Sequence, residues 1–203
     1  MDFLPVYIDI RGQRCLVVGG GEIAARKASL LAKAGGRIDV VAEEVSSGLN
    51  SVLASCEGQV FERRYQTSDL DGAKIVIAAT NDEQVNRQVS TEAKERNLPV
   101  NVVDNPELCS FILPAIIDRS PVVIAVSSGG QSPVLARMIR AKLESTIPAS
   151  YGRLAKLVGA VRDKVKERFD TVNQRREFWE QTLTGHVAEY VFAGKEDDAQ
   201  KML

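Results

Sequence analysis

A run of three glycines at positions 19–21 constrains the fold of this 203-residue chain more than any other feature. The glycines stand between an apolar run at 14–18, which predicts a strand, and residues 22–33, which are good helix formers. A further apolar run at 37–41 predicts the next strand. The sequence therefore predicts a β-α-β unit whose first turn is rich in glycine, the context of a dinucleotide-binding turn.

The pattern Gly19-x-Gly21-x-x-Ala24 gives each small residue a role in such a turn. Gly19 permits the tight bend, Gly21 lets the backbone approach a pyrophosphate, and Ala24 lets the helix pack closely on the strand. The helix N-terminus then offers unpaired N–H groups to the phosphates. We expect a bound dinucleotide here, although a glycine-rich turn that binds nothing has the same pattern.

Acidic and polar residues follow two of the predicted strands. Glu43 and Glu44 stand 22 and 23 residues after Gly21, where an acid binds the adenosine ribose hydroxyls. Because no Arg or Lys occurs between residues 38 and 62 to hold a 2′-phosphate, the sequence favours NAD over NADP. Thr80 ends another strand and is expected to reach the cofactor, since ligands in open parallel sheets bind beyond the carboxyl ends of strands.

The remaining pattern indicates one α/β domain followed by helices. A strand at Tyr7-Ile8-Asp9-Ile10 is expected to form a hairpin with the strand at 14–18. Alternation continues with a weak helix, two strands, a helix and a strand, predicted at 44–55, 59–65, 75–79, 82–96 and 100–103. The fold class is therefore α/β, a Rossmann-like and mostly parallel sheet over residues 1–113.

After Pro114 the pattern changes. We predict a strand at 121–126, a helix at 133–145, and two or three helices over 150–191, with a frayed tail from Gly194. The predicted boundaries are therefore 1–113, 114–148 and 149–203.

Composition limits the partners of the chain. Twenty-six Lys and Arg against 27 Asp and Glu give a net charge of −1, which argues against nucleic-acid binding. No apolar run is long enough to span a bilayer, and the N-terminus has no secretory pattern, so we expect a cytoplasmic protein without membrane contact. The three cysteines share no CxxC spacing and predict neither a disulfide framework nor a metal site.

Asp104 is the best-placed ionisable side chain for chemistry on a bound cofactor. It ends the predicted strand at 100–103, at the ligand-binding edge of the sheet, although an Asp before Asn105-Pro106 also suits a simple turn. His186, the single histidine, lies in the C-terminal helices and is interpreted as a surface or packing residue. Cys109 is interpreted as structural.

A second glycine-rich junction, Ser127-Ser128-Gly129-Gly130-Gln131-Ser132-Pro133, precedes the predicted helix at 133–145. Its free N–H groups at Ser128 and Gly129, with Arg137 one turn into the helix, would suit the carboxylates of a polyanionic substrate. A well-capped helix with an exposed arginine is the alternative. Segment 151–176 carries eight basic and three acidic residues, which indicates either a solvated face or attraction for an anionic partner.

Taken together, several blocks make the whole chain resemble the siroheme synthase family in its precorrin-2 dehydrogenase and sirohydrochlorin ferrochelatase half. The blocks are Leu4-Pro5, Val17-Val18-Gly19-Gly20-Gly21-x-Ile23-Ala24-x-Arg26-Lys27, Ala78-Ala79-Thr80-Asn81-Asp82, Asn101-Val102-Val103-Asp104, Ser110-Phe111-Ile112-x-Pro114-Ala115 and Ser127-Ser128-Gly129-Gly130-x-Ser132-Pro133-x-Leu135-Ala136-Arg137.

The resemblance implies an NAD-binding domain at 1–113, a dimerisation segment at 114–148, a helical domain at 149–203 and an intertwined homodimer. It implies NAD-dependent oxidation of precorrin-2 to sirohydrochlorin, followed by insertion of ferrous iron as a substrate to give siroheme. Asp104 matches the proposed general acid/base of both steps. The implied cofactor contacts are Gly21, Glu22, Ile23, Glu43 and Glu44.

Two alternatives remain open at this point. The chain could be a dehydrogenase without chelatase activity, or an NAD-sensing regulatory domain in which binding changes assembly without chemistry. Larger family members continue into a uroporphyrinogen methyltransferase, so the chain is expected to be either a stand-alone enzyme or an N-terminal fragment.

Overall fold

The computed structural model describes residues 2–203. Contacts divide the chain into two compact units, one ending at Leu113 and one beginning at Pro114. Each unit is described separately below.

The first unit is built on a parallel sheet. Within the described residues the sheet has five strands in the order β3-β2-β1-β4-β5, and every neighbouring pair is parallel. The strands are β1 Arg14–Val18, β2 Arg37–Ala42, β3 Gly58–Glu62, β4 Ile75–Ala78 and β5 Val100–Val102, and the helices are α1 Glu22–Lys33, α2 Ser47–Leu53 and α3 Glu83–Glu95. The predicted α/β class and Rossmann-like sheet are confirmed.

Helices cover both faces of this sheet, which explains why its central strands are continuous apolar runs. Val17 of β1 packs with Ala24 and Leu31 of α1 on one face. Its neighbour Leu16 packs with Val89 of α3 on the other. The side chains of Leu16 and Val17 are fully buried, so β1 is the centre of two cores.

Two predictions for the N-terminal part differ from the structure. Residues 7–10 form irregular backbone and not a strand, with Tyr7 and Ile8 exposed and only Ile10 buried against the core. The predicted hairpin does not form, because the Gly12 N–H donates to Gly35 O and so joins this turn to the segment after α1. The weak helix predicted at 44–55 is the shorter α2, because the Ser46 side chain caps it by accepting from Leu49 N–H.

The second unit begins with an antiparallel pair, β6 Ala115–Arg119 and β7 Val122–Val126. The sequence analysis missed β6. The helices that follow are α4 Pro133–Thr146, α5 Ser150–Ala160, α6 Arg162–Arg168, α7 Val172–Thr184, α8 His186–Phe192 and α9 Glu196–Lys201. In place of two or three helices and a frayed tail, the described residues after 149 form five helices.

Close packing fixes α5 against the hairpin. A Cβ on Gly152 would lie 2.1 Å from Arg119 O, so only glycine permits this approach. Arg119 in turn donates to Ile147 O at the end of α4. Among residues 2–203, no helix is both long and apolar enough to cross a membrane.

Candidate dinucleotide site

A cleft of about 510 Å³ lies beyond the carboxyl ends of β1, β2, β3 and β4 in the first unit. This is the edge at which parallel sheets bind ligands. The lining residues come from four loops and are Val18, Gly19, Gly20, Gly21, Val41, Ala42, Glu43, Glu44, Val45, Ser46, Arg63, Arg64, Tyr65, Ala79, Thr80, Asn81, Asp82 and Val85. The structure therefore brings Gly19, Gly21, Glu43, Glu44 and Thr80 together, as the sequence predicts.

The glycines at the floor of the cleft meet different constraints. A Cβ on Gly19, whose φ is +118°, would lie 2.3 Å from Ala79 O, and a Cβ on Gly20 would lie 1.8 Å from Glu44 O. Both positions are glycine because neighbouring backbone leaves no room. A Cβ on Gly21 would meet nothing within 4 Å, so this residue leaves an open space beside the N-terminus of α1. That space and the free N–H groups suit a pyrophosphate.

Thr80 is held in place by Asn86, a residue that the sequence analysis did not identify. Asn86 Nδ2 donates to Thr80 O at 2.9 Å, and Asn86 Oδ1 accepts from Thr80 N–H at 3.3 Å. Asp82 caps α3 by accepting from Gln84 N–H and Val85 N–H. The wall formed by the end of β4 and the start of α3 is therefore fixed by side chains.

At the far wall, Glu43 forms an ion pair with an arginine that follows β3. Arg64 Nε lies 3.0 Å from Glu43 Oε1, and both side chains are exposed, by 86% and 65% respectively. The hydrogen bond to Glu43 raises the pKa of Arg64 further above its ordinary value. The segment from 38 to 62 has no basic residue, but the cleft still contains arginines. They follow β3, which pairs with β2 and so ends at the same edge of the sheet.

Two other polar pairs stiffen this wall. Arg63 binds Asp69 through two hydrogen bonds of 2.6 and 2.9 Å, and these bonds help hold the pKa of Asp69 below its usual value against the opposing effect of burial. The Tyr65 hydroxyl donates to Glu92 Oε2 at 2.7 Å. Burial is the largest cause that raises the pKa of Tyr65, so the phenol stays protonated.

Glu22 and Ile23, which the resemblance implies as cofactor contacts, are exposed in the first turn of α1. They are not among the described residues that line the cleft. The Glu22 carboxylate lies over Gly48 of α2, where an added Cβ would come 2.9 Å from Glu22 Oε2. Their role in cofactor binding stays a prediction.

Asp104 follows β5 by two residues, on the same edge of the sheet as the cleft, and it is exposed. It does not line the cleft as the described residues define it. Its φ of +57° is left-handed, a conformation that Asp and Asn adopt more readily than most residues. Lys27 of α1 is half-buried, and burial lowers its pKa while the charge of Asp104 partly opposes that effect.

The thiol of Cys109 holds the loop that carries Asp104. Cys109 Sγ accepts from Val102 N–H at 3.1 Å, and its single S–H can donate either to Val102 O at 3.2 Å or to Asn105 O at 3.3 Å. These partners stand on both sides of Asp104 in the chain. Cys109 therefore closes the turn that fixes the backbone of Asp104.

In the second unit, the Ser128 loop is a closed turn before α4. Ser128 Oγ accepts from Ser132 N–H and donates to Ser132 O, each at 2.9 Å. The Ser132 side chain caps α4 by accepting from Leu135 N–H. Gly129 has a φ of +66°, and its N–H donates to Ser127 Oγ at 3.0 Å, so the expectation of a free N–H at Gly129 is wrong. Arg137 is exposed.

No group of three or more His, Cys, Asp or Glu side chains forms a candidate metal site within residues 2–203.

Three family models together match nearly all of the chain. Residues 6–115 match a family described as "Putative NAD(P)-binding", residues 119–146 match the central region of sirohaem biosynthesis proteins, and residues 150–203 match the sirohaem synthase dimerisation region. The chain belongs to the siroheme synthase family. The model of the dimerisation region matches residues 150–203, whereas we expected the dimerisation segment at 114–148. Which residues form a dimer interface stays a prediction.

Curated relatives in the family are longer than this chain. It is 56% identical over 203 residues to the siroheme synthase of Pseudomonas entomophila, an alignment that covers 100% of the chain and 44% of the relative. It is 50% identical over 202 residues to the siroheme synthase of Ruthia magnifica, covering 98% of the chain and 42% of the relative. The chain thus spans less than half the length of these two relatives.

A solved structure described as SirC, a precorrin-2 dehydrogenase, resembles the chain over its full length. The TM-score is 0.77 at 27% sequence identity, and the superposition covers 98% of both chains.

Proposed function

We propose that this chain oxidises precorrin-2 to sirohydrochlorin with NAD as the electron acceptor. The observation that carries the proposal is the open space at Gly21 beside the N-terminus of α1, in a cleft whose other glycines are fixed by packing. The likeness to a precorrin-2 dehydrogenase over 98% of both chains supports the choice of substrate.

The residues of the cleft would hold the coenzyme along its length. The first N–H groups of α1 would bind the pyrophosphate beside Gly21, and Gly19 permits the bend of the chain that leads there. Glu43 accepts from the adenosine ribose hydroxyls, with Glu44 beside it, and Thr80 borders the opposite wall. The bound nicotinamide supplies a hydride acceptor for two electrons of the tetrapyrrole.

Asp104 is proposed to accept the proton that accompanies hydride removal. A carboxylate is suited to this role because the product macrocycle is itself stabilised by conjugation, so a single positioned base suffices. The closed turn made by Cys109 fixes the backbone of that carboxylate.

The substrate carries eight carboxylates, and the chain offers groups that bind them. In the second unit, the backbone N–H of Ser128 and the guanidinium of Arg137 are proposed to bind these carboxylates, and the Gly129 N–H would join them only by leaving Ser127 Oγ. Arg137 is exposed and, among the described residues, has no acidic partner within 4 Å.

Insertion of ferrous iron into sirohydrochlorin is the proposed second reaction. Iron is a substrate of this step, bound by the four ring nitrogens as two pyrrole protons leave. Asp104 is proposed to take up one of these protons, release it to solvent from its exposed position, and then take up the second, so that one carboxylate can serve both reactions.

The chain is also proposed to form a homodimer. The description of the family region matched at 150–203 supports this proposal, and so does the apolar surface that α4 exposes at Val134, Leu135, Met138 and Ile139. Sedimentation analysis should give a mass twice that of the 22.1 kDa chain.

A coupled spectrophotometric assay tests the proposed reactions in sequence. Precorrin-2 and NAD are mixed with the purified chain, and NADH absorbance is followed before ferrous iron is added. NADH formation supports the dehydrogenase, and a further change to the siroheme spectrum supports chelation. NADH formation without that change would leave a dehydrogenase alone, whereas NAD binding without NADH formation would favour a sensing domain.

A further inference from the structure

The wall of the cleft that is proposed to bind the adenosine ribose carries an ion pair between Glu43 and Arg64. Glu43 follows β2, and Arg64 follows β3, the strand that pairs with β2 in the register Ala42 with Glu62. Because the two strands are parallel neighbours, the residues just beyond their ends meet at the same edge of the sheet. Arg64 Nε reaches Glu43 Oε1 at 3.0 Å.

Arg63 and Arg64 have different freedom to bind a ligand. Arg63 is held by two hydrogen bonds to the buried Asp69, and its guanidinium lies over the ring of Phe61 at 5.3 Å. Arg64 has a single side-chain contact to a carboxylate, and its side chain is 86% exposed. Arg64 is therefore held less firmly than Arg63, by one exposed ion pair that lasts only while Glu43 is charged.

The two side chains have opposite effects on the two nicotinamide coenzymes. A carboxylate at this position accepts hydrogen bonds from the free 2′-hydroxyl of NAD, whereas an arginine nearby binds the 2′-phosphate of NADP. Arg64 engages one position on a carboxylate that offers about four, so Glu43 can bind a ribose hydroxyl while the ion pair stays closed. A 2′-phosphate would instead face the negative charge of Glu43.

We propose that the Glu43–Arg64 ion pair sets coenzyme choice in this cleft, because Glu43 both repels a 2′-phosphate and occupies the arginine that would bind it. The inference rests on the proposed binding of a nicotinamide coenzyme in this cleft and adds the residues that choose between its two forms. Without the charge on Glu43, Arg64 turns to the phosphate and the cleft accepts NADP.

Calorimetric titration of the purified chain with NADH and with NADPH tests this inference without any tetrapyrrole. The unaltered chain should bind NADH more tightly than NADPH. Glu43→Gln should tighten NADPH binding about tenfold, because it removes the repulsion and frees Arg64. The double variant Glu43→Gln/Arg64→Gln should lose most of that gain.

Asp71→Asn is the matched control, since Asp71 also forms an exposed ion pair, with Arg96 at 2.6 Å, but does not line the cleft. It should leave the ratio of the two affinities unchanged. The inference is overturned if Glu43→Gln leaves that ratio within twofold of the unaltered chain, or if the double variant binds NADPH as tightly as Glu43→Gln. Failure of the unaltered chain to bind either nucleotide would instead overturn the proposed function and this inference with it.

Discussion

The side-chain amide of Asn86 pairs with the backbone of Thr80 as a neighbouring strand would, donating from Nδ2 to Thr80 O and accepting at Oδ1 from Thr80 N–H. The Thr80 hydroxyl also donates to Asn86 Oδ1 at 2.9 Å. The pair joins the end of β4 to the first turn of α3, at the wall of the cleft that faces Gly19.

Asn86→Ala should weaken NADH binding about tenfold and lower the free energy of unfolding by about 1–2 kcal/mol, because Thr80 loses its partners at a half-buried site. Calorimetric titration and urea unfolding measure the two effects. Asn50→Ala, at an exposed position of α2, is the control and should change neither. Unaltered NADH binding by Asn86→Ala would show that the wall does not depend on this pair.

Gly20→Ala and Gly21→Ala should separate folding from coenzyme binding. The added methyl of Gly20→Ala would lie 1.8 Å from Glu44 O, so this variant should lose stability by about 2 kcal/mol or more. Gly21→Ala adds a methyl in open space, so its thermal midpoint should stay close to that of the unaltered chain while NADH binding falls at least tenfold. If Gly21→Ala still binds NADH tightly, the pyrophosphate does not bind at this position.

Asp69 makes stability depend on pH in the acid range. Its pKa is lower in the folded chain than in the unfolded chain, so the stability it contributes is present above its ordinary pKa near 3.8 and is lost as the pH falls through the lower, folded value. Asp69→Asn should therefore cost roughly 2 kcal/mol at neutral pH and flatten the stability profile below about pH 4. Urea unfolding at several pH values measures this, and parallel profiles for the two proteins would contradict it.

The part of the fold that sequence predicted best is the β-α-β unit around Gly19. Its strands are buried on both faces and its helix is followed by Gly35 with a positive φ, so local signals and tertiary packing agree. The helix at 22–33 was predicted with the observed bounds. The strand predicted at 7–10 does not form, because both neighbours of β1 in the sheet are other strands, β2 and β4. β6 was missed because its short apolar run ends in the charged pair Asp118-Arg119.

The sequence predicted those residues of the candidate site that lie next to a single strand, but not the contacts between different loops. Glycines and acids next to a predicted strand are visible in the sequence, but the partners that hold them come from other segments. Arg64 could have been found from the strand order, since β3 is the neighbour of β2 and its following residues must share that edge. The sequence signal for Asn86 was weaker. It is only an amide side chain in the first turn of α3, the helix that follows the end of β4 at the cleft.

The rate of NADH formation by Asp104→Asn tests the account most directly. Asn is the matched replacement because it also adopts a φ near the +57° of Asp104, so backbone strain does not confuse the result. With precorrin-2 and NAD supplied, we expect NADH binding to stay within about twofold of the unaltered chain while the rate of NADH formation falls about 100-fold, since the proton acceptor is gone. A rate close to that of the unaltered chain would remove Asp104 from the reaction and contradict the account.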